Sequence, residues 1–400
     1  MKRFFFDCLP WAALVILAVI CFPGGEALAA DSHAGALYTL PLLGVAGLID
    51  IFDTRTMLEA VEEMKRPGRF LRDMFFPNFR QFDTESVDVD IVKGKRRLAP
   101  FVSPLAEGKV VDRLGFSTST IKPGYIKPKM PTTAADLLKR QPGEVLYGGG
   151  MTIEQRAQEQ LGRDLAELMD QVDRREEWMA AQALNAGAIV MKIKAETADK
   201  SVTVDFGMDA THKVTLSGTD LWSDTTNSDP IADLTTWGQL CRKDSGISPN
   251  TVVMGTDACT AFMNHPKVQK ALDMRAVDMG EINPRQLPDG VSYVGRIKAP
   301  NLFVDVYCYD EWYIDEDTST ETAMVPAKKV WMGSTRTANS KLNAVIQDVE
   351  AIEGGIAAAV RRFPKSWVTK DPSVRWLMVQ SAPLIAMLQP DAFVSAQVLA

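Results

Sequence analysis

Apolar residues recur at helical spacing over one long stretch of the chain. Ile153, Ala157, Leu161, Leu165, Leu168, Val172, Met179 and Ala183 follow mainly at steps of three and four, which keeps one face of a helix apolar. Thr152-Ile153-Glu154-Gln155 forms a capping box in front, and Asn185 with Gly187 supplies a stop. The pattern predicts one helix over 152–186, roughly 50 Å long at 1.5 Å per residue. Its other faces carry Glu154, Glu159, Asp164, Glu167, Asp170, Asp173, Glu176 and Glu177, an acidic surface in expectation.

Shorter patterns flank it. Met57 to Phe76 begins as an amphipathic helix and breaks at Pro67-Gly68. Its second part is aromatic and basic, and fits either an arm docking elsewhere or a terminal helix on its own core. Val87 to Ile91 alternates Val and Ile with Asp, an edge strand with one apolar face. Ile189 to Phe206 predicts short strands, and the polar loop Asp220 to Asp229, with Trp222, a lobe boundary. Helices at Pro230–Lys243 and Asp257–Leu272 (interrupted near Pro266) alternate with strands at Thr251–Gly255, Val291–Ile297, Leu302–Tyr309 and Ala327–Met332. That order predicts a mixed α/β lobe over 230–350. Near the end, Trp376 to Val379 is apolar on both faces, as a covered strand must be. Val394, Ala396 and Val398 alternate with Ser395 and Gln397, the mark of a strand with one wet face. The chain is expected to close its fold with its own terminus.

Charge changes this picture in one place. A net charge of −7 over 400 residues argues against a primary nucleic-acid binder. Yet Lys93 to Lys129 holds nine Lys and Arg against Glu107 and Asp112, a local +7. The stretch is rich in Gly, Pro, Ser and Thr, without helical period, and reads as a long extended hairpin lacking a core. A solvated basic loop or a nucleic-acid patch is the plain alternative. So long an unsupported connection is uncommon unless it contacts a partner. Candidate intersubunit residues are therefore Lys93, Lys95, Arg96, Arg97, Lys109, Arg113, Lys127 and Lys129 on the hairpin. A neighbouring copy's helix would receive them through Glu167, Asp170, Asp173 and Glu177, a head-to-tail contact able to close rings.

Candidate chemistry is sparse. Cysteines stand at 8, 21, 241, 259 and 308 without a CxxC, so reduced thiols are expected. His33, His212 and His265 have no ligand at metal spacing. Gly148-Gly149-Gly150 lacks dinucleotide spacing and reads as a hinge before the capping box. Asp244-Ser245-Gly246 has the wrong neighbours for a nucleophile turn. Asp315, Asp317 and Ser319 begin like a calcium loop, but Thr320 stands where glycine is needed. Cys259 reads as a small buried hydrophobe. No catalytic residue, metal site or cofactor is expected; the pattern favours contact between copies.

The N-terminus adds a conflicting signal. Met1-Lys2-Arg3, an apolar run from Trp11 to Phe22 and Ala27-Leu28-Ala29 resemble a secretory signal peptide. The segment 1–50 is read as a leader or start-site extension, signal-peptide-like over 1–30.

From about Ile51 onward the chain resembles the lambda-type phage major capsid proteins, the protein E family. The matching wording is Pro123-Gly124-Tyr125-Ile126-Lys127-Pro128-Lys129, Gly333-Ser334-Thr335-Arg336 after Trp331, and the closing stretch Phe363 to Ala400. The resemblance implies an α+β Hong Kong 97-type capsid fold. It places an N-terminal arm at 51–85, an extended loop at 86–135, a peripheral domain with spine helix at 136–225, an axial domain at 226–359, and closing peripheral strands at 360–400. It implies a virion subunit assembled in the host cytoplasm into hexamers and pentamers around double-stranded DNA. Implied partners are further copies, scaffold or protease, portal and head-decoration proteins, and packaged DNA held without sequence specificity; no catalytic residue or cofactor carries over. A shell protein of a cellular nanocompartment is the second reading. A secreted binding protein or enzyme, resting on the leader alone, is the third.

Overall fold

The computed structural model describes residues 54–63, 69–92, 98–99, 101–104, 107–108, 110, 116–139, 152–194, 199–273, 280–281, 285–287, 290–299, 301–355 and 360–400. The leader, the Gly148–Gly150 hinge and most of the basic hairpin's far end lie outside them. The described residues all belong to the unit Asp50–Ala400.

Before the long helix the chain makes short elements: α1 (Thr54–Glu63), α2 (Phe70–Phe75), β1 (Asn78–Gln81), β2 (Val87–Val92), β3 (Phe116–Ile121), β4 (Lys129–Thr133) and α3 (Ala134–Leu138). The long helix is α4 (Ile153–Ala186), 34 residues. β5 (Ala188–Ile193), β6 (Lys200–Asp205) and β7 (Lys213–Thr215) lead to α5 (Pro230–Asp244), β8 (Thr251–Met254), α6 (Thr256–Asn264) and α7 (Pro266–Asp273). Next come β9 (Gly280–Glu281), β10 (Arg285–Gln286), β11 (Val291–Ala299), β12 (Leu302–Tyr309), β13 (Trp312–Ile314), β14 (Glu321–Ala323), β15 (Lys329–Gly333) and β16 (Ser340–Asn343). α8 (Val349–Glu353) precedes the closing strands β17 (Phe363–Thr369), β18 (Val374–Gln380), β19 (Pro383–Ala386) and β20 (Val394–Gln397).

α4 starts and stops where its sequence says. The Gln155 amide donates to Thr152 Oγ1 at 3.2 Å, and the Thr152 amide donates back to Gln155 Oε1 at 3.0 Å. Gly187 ends it in the left-handed region at φ 65°. A Cβ there would also lie 2.3 Å from Met208 Cβ, so both backbone and space require glycine. Leu165, Leu168, Met169 and Val172 pack with Met57 and Val61 of α1 and with Leu377 and Val379 of β18. One turn and more further on, Met179, Ala180, Ala183 and Leu184 enter the largest core, with Phe75, Phe76, Phe206, Leu384 and Phe393. Ile153, at the other end of the apolar stripe, is 57% exposed.

An eight-stranded sheet runs β10-β11-β12-β8-β15-β20-β7, with β9 paired to β11. β8 lies parallel to β12 and antiparallel to β15, and all four of its residues are buried. α5 and α6 cover the sheet through Leu234, Trp237, Ala258 and Phe262. Trp222, in the expected boundary loop, is buried in this core; it stacks on Trp237 and its Nε1 donates to Asp233 at 2.9 Å. The loop is thus pinned to this core through Trp222.

The closing stretch divides among three sheets, with β19 at the edge of β1-β16-β19. β18 is the middle strand of β17-β18-β4 and packs its Leu377 and Val379 against α4; Trp376 and Met378, on the other face, are only half-buried, so one face is covered where both were expected. β20, expected with it, runs instead between β15 and β7 of the large sheet. Its supposed wet face is closed too: Ser395 is only 4% exposed. The physical reason is that β20 is an interior strand, and a small serine fits under cover while still alternating with valine and alanine.

Candidate assembly surface

Two charged regions bear on assembly: the junction between α2 and α4, and the hairpin that β2 and β3 begin. At the junction, Asp173, Glu176 and Glu177 share one side of α4 because residues three and four apart are helix neighbours. Arg69 and Arg72 approach from the start of α2, and Arg361 and Arg362 from the lead into β17. Arg72 Nη1 donates to Asp173 and, at 2.9 Å, to Glu176. Arg362 Nη1 donates to Asp173 Oδ2 at 3.0 Å, and its Nη2 also reaches Asp173 and Glu176. Arg361 adds an ion pair to Glu176. Arg69 pairs with Asp170 and, at 2.9 Å, with Glu311.

Glu177 is used differently. Its carboxylate accepts the Leu71 and Arg72 backbone amides at 2.8 and 2.9 Å, so it caps the first turn of α2. The Tyr309 hydroxyl lies 2.9 Å from Glu177 and 2.6 Å from Glu311. Burial pushes the Glu177 carboxyl up to about 7, against these amide bonds and Arg72. Burial raises Tyr309 as well, with Glu177 and Glu311 adding to it. Asp73 goes the other way, to about 2: burial opposes ionisation there, but Arg72 and Lys341 outweigh it. Arg72 itself is held above its usual range by Asp73, Glu176 and Asp173 despite its burial. This is a closed set of charge-assisted bonds, expensive to dehydrate singly and stable only together.

Two of the expected contact residues therefore need correction. Asp173 and Glu177 do not face a neighbour: they are buried and satisfied by Arg72, Arg362 and the α2 backbone of their own chain. Charge runs on a helix read as solvated because nothing local reveals four arginines arriving from 69–72 and 361–362. The aromatic and basic second part of the Met57–Phe76 stretch belongs to the chain's own core, with Leu71, Phe75 and Phe76 buried. Asp170 is half-buried and pairs with Arg69 and Arg174, whereas Glu167 is exposed. Sequence reasoning missed Arg69, Arg72, Arg361 and Arg362. The available signal was arginine embedded among apolar residues, as in R-F-L-R and R-R-F.

The hairpin contrasts with this. β2 and β3 pair antiparallel from Val87↔Ile121 to Val92↔Phe116. Val87 and Ile121 at its foot are buried, and Thr120 Oγ1 donates to Asp88 at 2.6 Å. Past the ladder, Leu98, Phe101 and Val110 are 97%, 106% and 91% exposed. Lys127 and Lys129, on the return limb, are exposed, and their ammonium groups sit 4.5 Å over Tyr125 and 4.7 Å over Trp376. Lys93, Lys95, Arg96, Arg97, Lys109 and Arg113 lie outside the described residues. Only the foot of the hairpin enters a core, through Val87 and Ile121; Leu98, Phe101 and Val110 beyond it are left in solvent.

The remaining motifs hold no reactive arrangement. Ser245 Oγ donates to the Cys241 carbonyl at 2.7 Å, closing α5. Asp315 accepts the amides of Asp317 and Thr318, an ordinary turn. Among the described residues no group of three or more His, Cys, Asp or Glu could hold a metal ion, and no helix is long and apolar enough to cross a membrane.

A family described as phage major capsid protein E matches residues 53–398. The major capsid protein of Escherichia phage lambda is 31% identical over 357 residues, spanning 87% of this chain and 99% of that protein. That of Escherichia phage N15 is 30% identical over 359 residues, again 87% and 99%. A crystal structure assigned to the capsid protein of an E. coli CFT073 prophage superposes with a TM-score of 0.65 at 19% identity, covering 87% of this chain and 99% of that one.

Proposed function

Because the chain belongs to the phage major capsid protein E family and has its α+β Hong Kong 97-type fold, we propose that it is the structural subunit of an icosahedral phage or prophage head. Copies assemble into hexamers and pentamers that enclose double-stranded DNA. The observation supporting self-association in this chain is the hairpin. Leu98, Phe101 and Val110 are almost wholly exposed beyond a ladder whose own foot is buried. Apolar residues gathered on one exposed projection serve association. The basic residues Lys93, Lys95, Arg96, Arg97, Lys109 and Arg113 run through the same segment. They give it a charge that a neighbour's acidic surface complements, with Glu167 the remaining exposed candidate on α4.

In this reading 51–85 is the arm, 86–135 the extended loop, and 136–225 the peripheral domain with α4 as spine. The axial domain is 226–359, and β20 returns from the closing segment to complete its sheet. Scaffold or protease, portal and head-decoration proteins are the further partners, DNA lies on the inner face without sequence readout, and the mature protein resides in the virion after assembly in the host cytoplasm.

Reversing Lys95, Arg96 and Arg97 to glutamate tests it. Each exposed pair is worth only about 0–1 kcal/mol, but the contact repeats in a closed shell. Closed particles seen by electron microscopy should disappear while the circular dichroism of the subunit stays unchanged. Normal particle yield at both low and high salt would contradict the proposed contact.

A further inference from the structure

Tyr309 ends β12 against the junction of α2 and α4, where its hydroxyl faces two acids. The hydroxyl oxygen lies 2.9 Å from Glu177 Oε1 and 2.6 Å from Glu311 Oε2. Both are hydrogen-bond lengths, and each such contact between two oxygens holds a proton. A phenol supplies one proton and an ionised carboxylate none. The two contacts together therefore require a second proton, carried by one of the two carboxyl groups. The neighbouring guanidiniums do not take its place. Arg69 donates to Glu311 Oε1 at 2.9 Å and to Asp170. Arg72 bonds Asp73, Asp173 and Glu176, Arg361 bonds Glu176, and Arg362 bonds Asp173 and Glu176. Tyr309 and Glu177 are both fully buried. The Phe70 ring, at the start of α2, packs 5.4 Å from the Tyr309 ring and holds the phenol in place.

We propose that Glu177, Tyr309 and Glu311 form a proton-held joint: at low pH one carboxyl proton completes the bonds tying the end of β12 to α4, and its loss as pH rises frees Glu311 from the helix. The inference rests on the fold and not on the assembly reading above. Burial makes Glu177 the holder, lifting its carboxyl to about 7 against the Arg72 and Leu71 amides, the Tyr309 hydroxyl and the Arg72 charge. That value lies above the ordinary 4.5, so the joint is complete below 4.5 and comes apart as pH rises through 7. The other charged groups at the junction are Asp170, Asp173 and Glu176 on α4, Arg69, Arg72 and Asp73 from α2 and its approach, and Arg361 and Arg362 from the lead into β17. Asp73 stays ionised down to about 2, held by Arg72 and Lys341 against its burial. Once the second proton leaves, two carboxylates share one phenol proton and one contact opens. The hairpin of β13 and β14 is then held at its start by Arg69 on Glu311, and at its tip by Arg175 with Glu316 and Lys192 with Asp317. The tip pairs are open to solvent and add little. Tyr313 and Met324 remain packed on the core, so the loosening is local to Glu311.

The test is amide hydrogen exchange of the purified full-length protein, read by mass spectrometry at Met324, whose amide donates to the Glu311 carbonyl at 2.8 Å. Protection there, corrected for the intrinsic effect of pH, should fall about tenfold as pH rises through 7, the worth of one buried hydrogen bond to a charged group. Glu311→Gln places an amide N–H where the second proton is otherwise needed, so its protection should stay level over the same window. Tyr309→Phe removes the shared hydroxyl and should also be level. Level protection in the unsubstituted protein would overturn the proposal without any variant. A tenfold fall that persists in Glu311→Gln would overturn it too, because Glu177 would then titrate by itself and not as part of a joint. Where Glu311→Gln fails to fold, Tyr309→Phe decides: the same fall in that variant is the contradicting result.

Discussion

From Ile153 to Arg163 the long helix meets solvent around most of its circumference, and its ion pair, Arg163 with Glu159, lies one turn apart on an open face. From Asp164 to Leu184 the same helix loses Asp173, Glu176 and Glu177 from solvent along with its leucines. Both stretches carry an apolar stripe, but the first balances Glu154 and Glu159 against Arg156 and Arg163, whereas the second holds six carboxylates against Arg174 and Arg175. That acidic surplus is met by what arrives from elsewhere: Arg69 and Arg72 on one side, Arg361 and Arg362 on another, and the amide groups that open α2. A buried carboxylate without such partners costs several kcal/mol, so these residues stand or fall as a set. The exposed half carries no such set, and substitutions there should be tolerated.

The sharpest way to break the comparison is to remove one arginine. Arg362→Met takes from buried Asp173 one of its two guanidiniums and from Glu176 one of its three, and should cost about 3–5 kcal/mol in urea unfolding. Arg163→Met, in the exposed half, should cost no more than about 0.5 kcal/mol. Equal losses would dissolve the distinction. The apolar stripe gives a second contrast. Leu168→Ala, fully buried against β18 and α1, should cost about 2–5 kcal/mol, whereas Ile153→Ala, largely exposed, should stay within about 0.5 kcal/mol.

Glu177 gives a smaller effect that depends on pH. Its folded carboxyl titrates near 7, above the ordinary 4.5. The folded state therefore binds this proton more tightly, so Glu177 lowers stability as pH rises from 4.5 through 7, and not beyond. The expected loss is up to about 3 kcal/mol across that window. Glu177→Gln cannot ionise, so the difference in stability between the two proteins should change over that window and be flat above it. A pH-independent difference would mean the amides of α2 keep Glu177 ionised throughout.

Much of the fold was legible because its signals are local. The capping box at Thr152, the glycine stop at Gly187, the apolar run Thr251–Met254 and the alternation of Leu302–Tyr309 each need only neighbouring residues. Pairing partners were not legible. Trp376–Val379 announced a covered strand but not that one face alone would be covered or that Lys129–Thr133 would flank it, and the alternation at Val394–Gln397 could not reveal cover on both faces. For the candidate surface, the basic hairpin was visible in composition. The division of α4 was not, because burial of Asp173 and Glu177 is decided by arginines about a hundred and about two hundred residues away in sequence, a separation no local pattern spans.

One measurement bears most directly on the claim that the acidic end of α4 is neutralised within its own chain while the hairpin is left for a neighbour. It is a cryo-electron microscopy map of the assembled particle in which each chain can be traced from α2 to α4. The account predicts that Glu177 accepts the Leu71 and Arg72 amides, and Asp173 the Arg72 and Arg362 guanidiniums, of the same subunit, with the segment past β2 lying on another subunit. A map in which Lys95, Arg96 or Arg97 of a neighbouring subunit sits against Asp173 or Glu177, or in which the hairpin touches only its own chain, would contradict it.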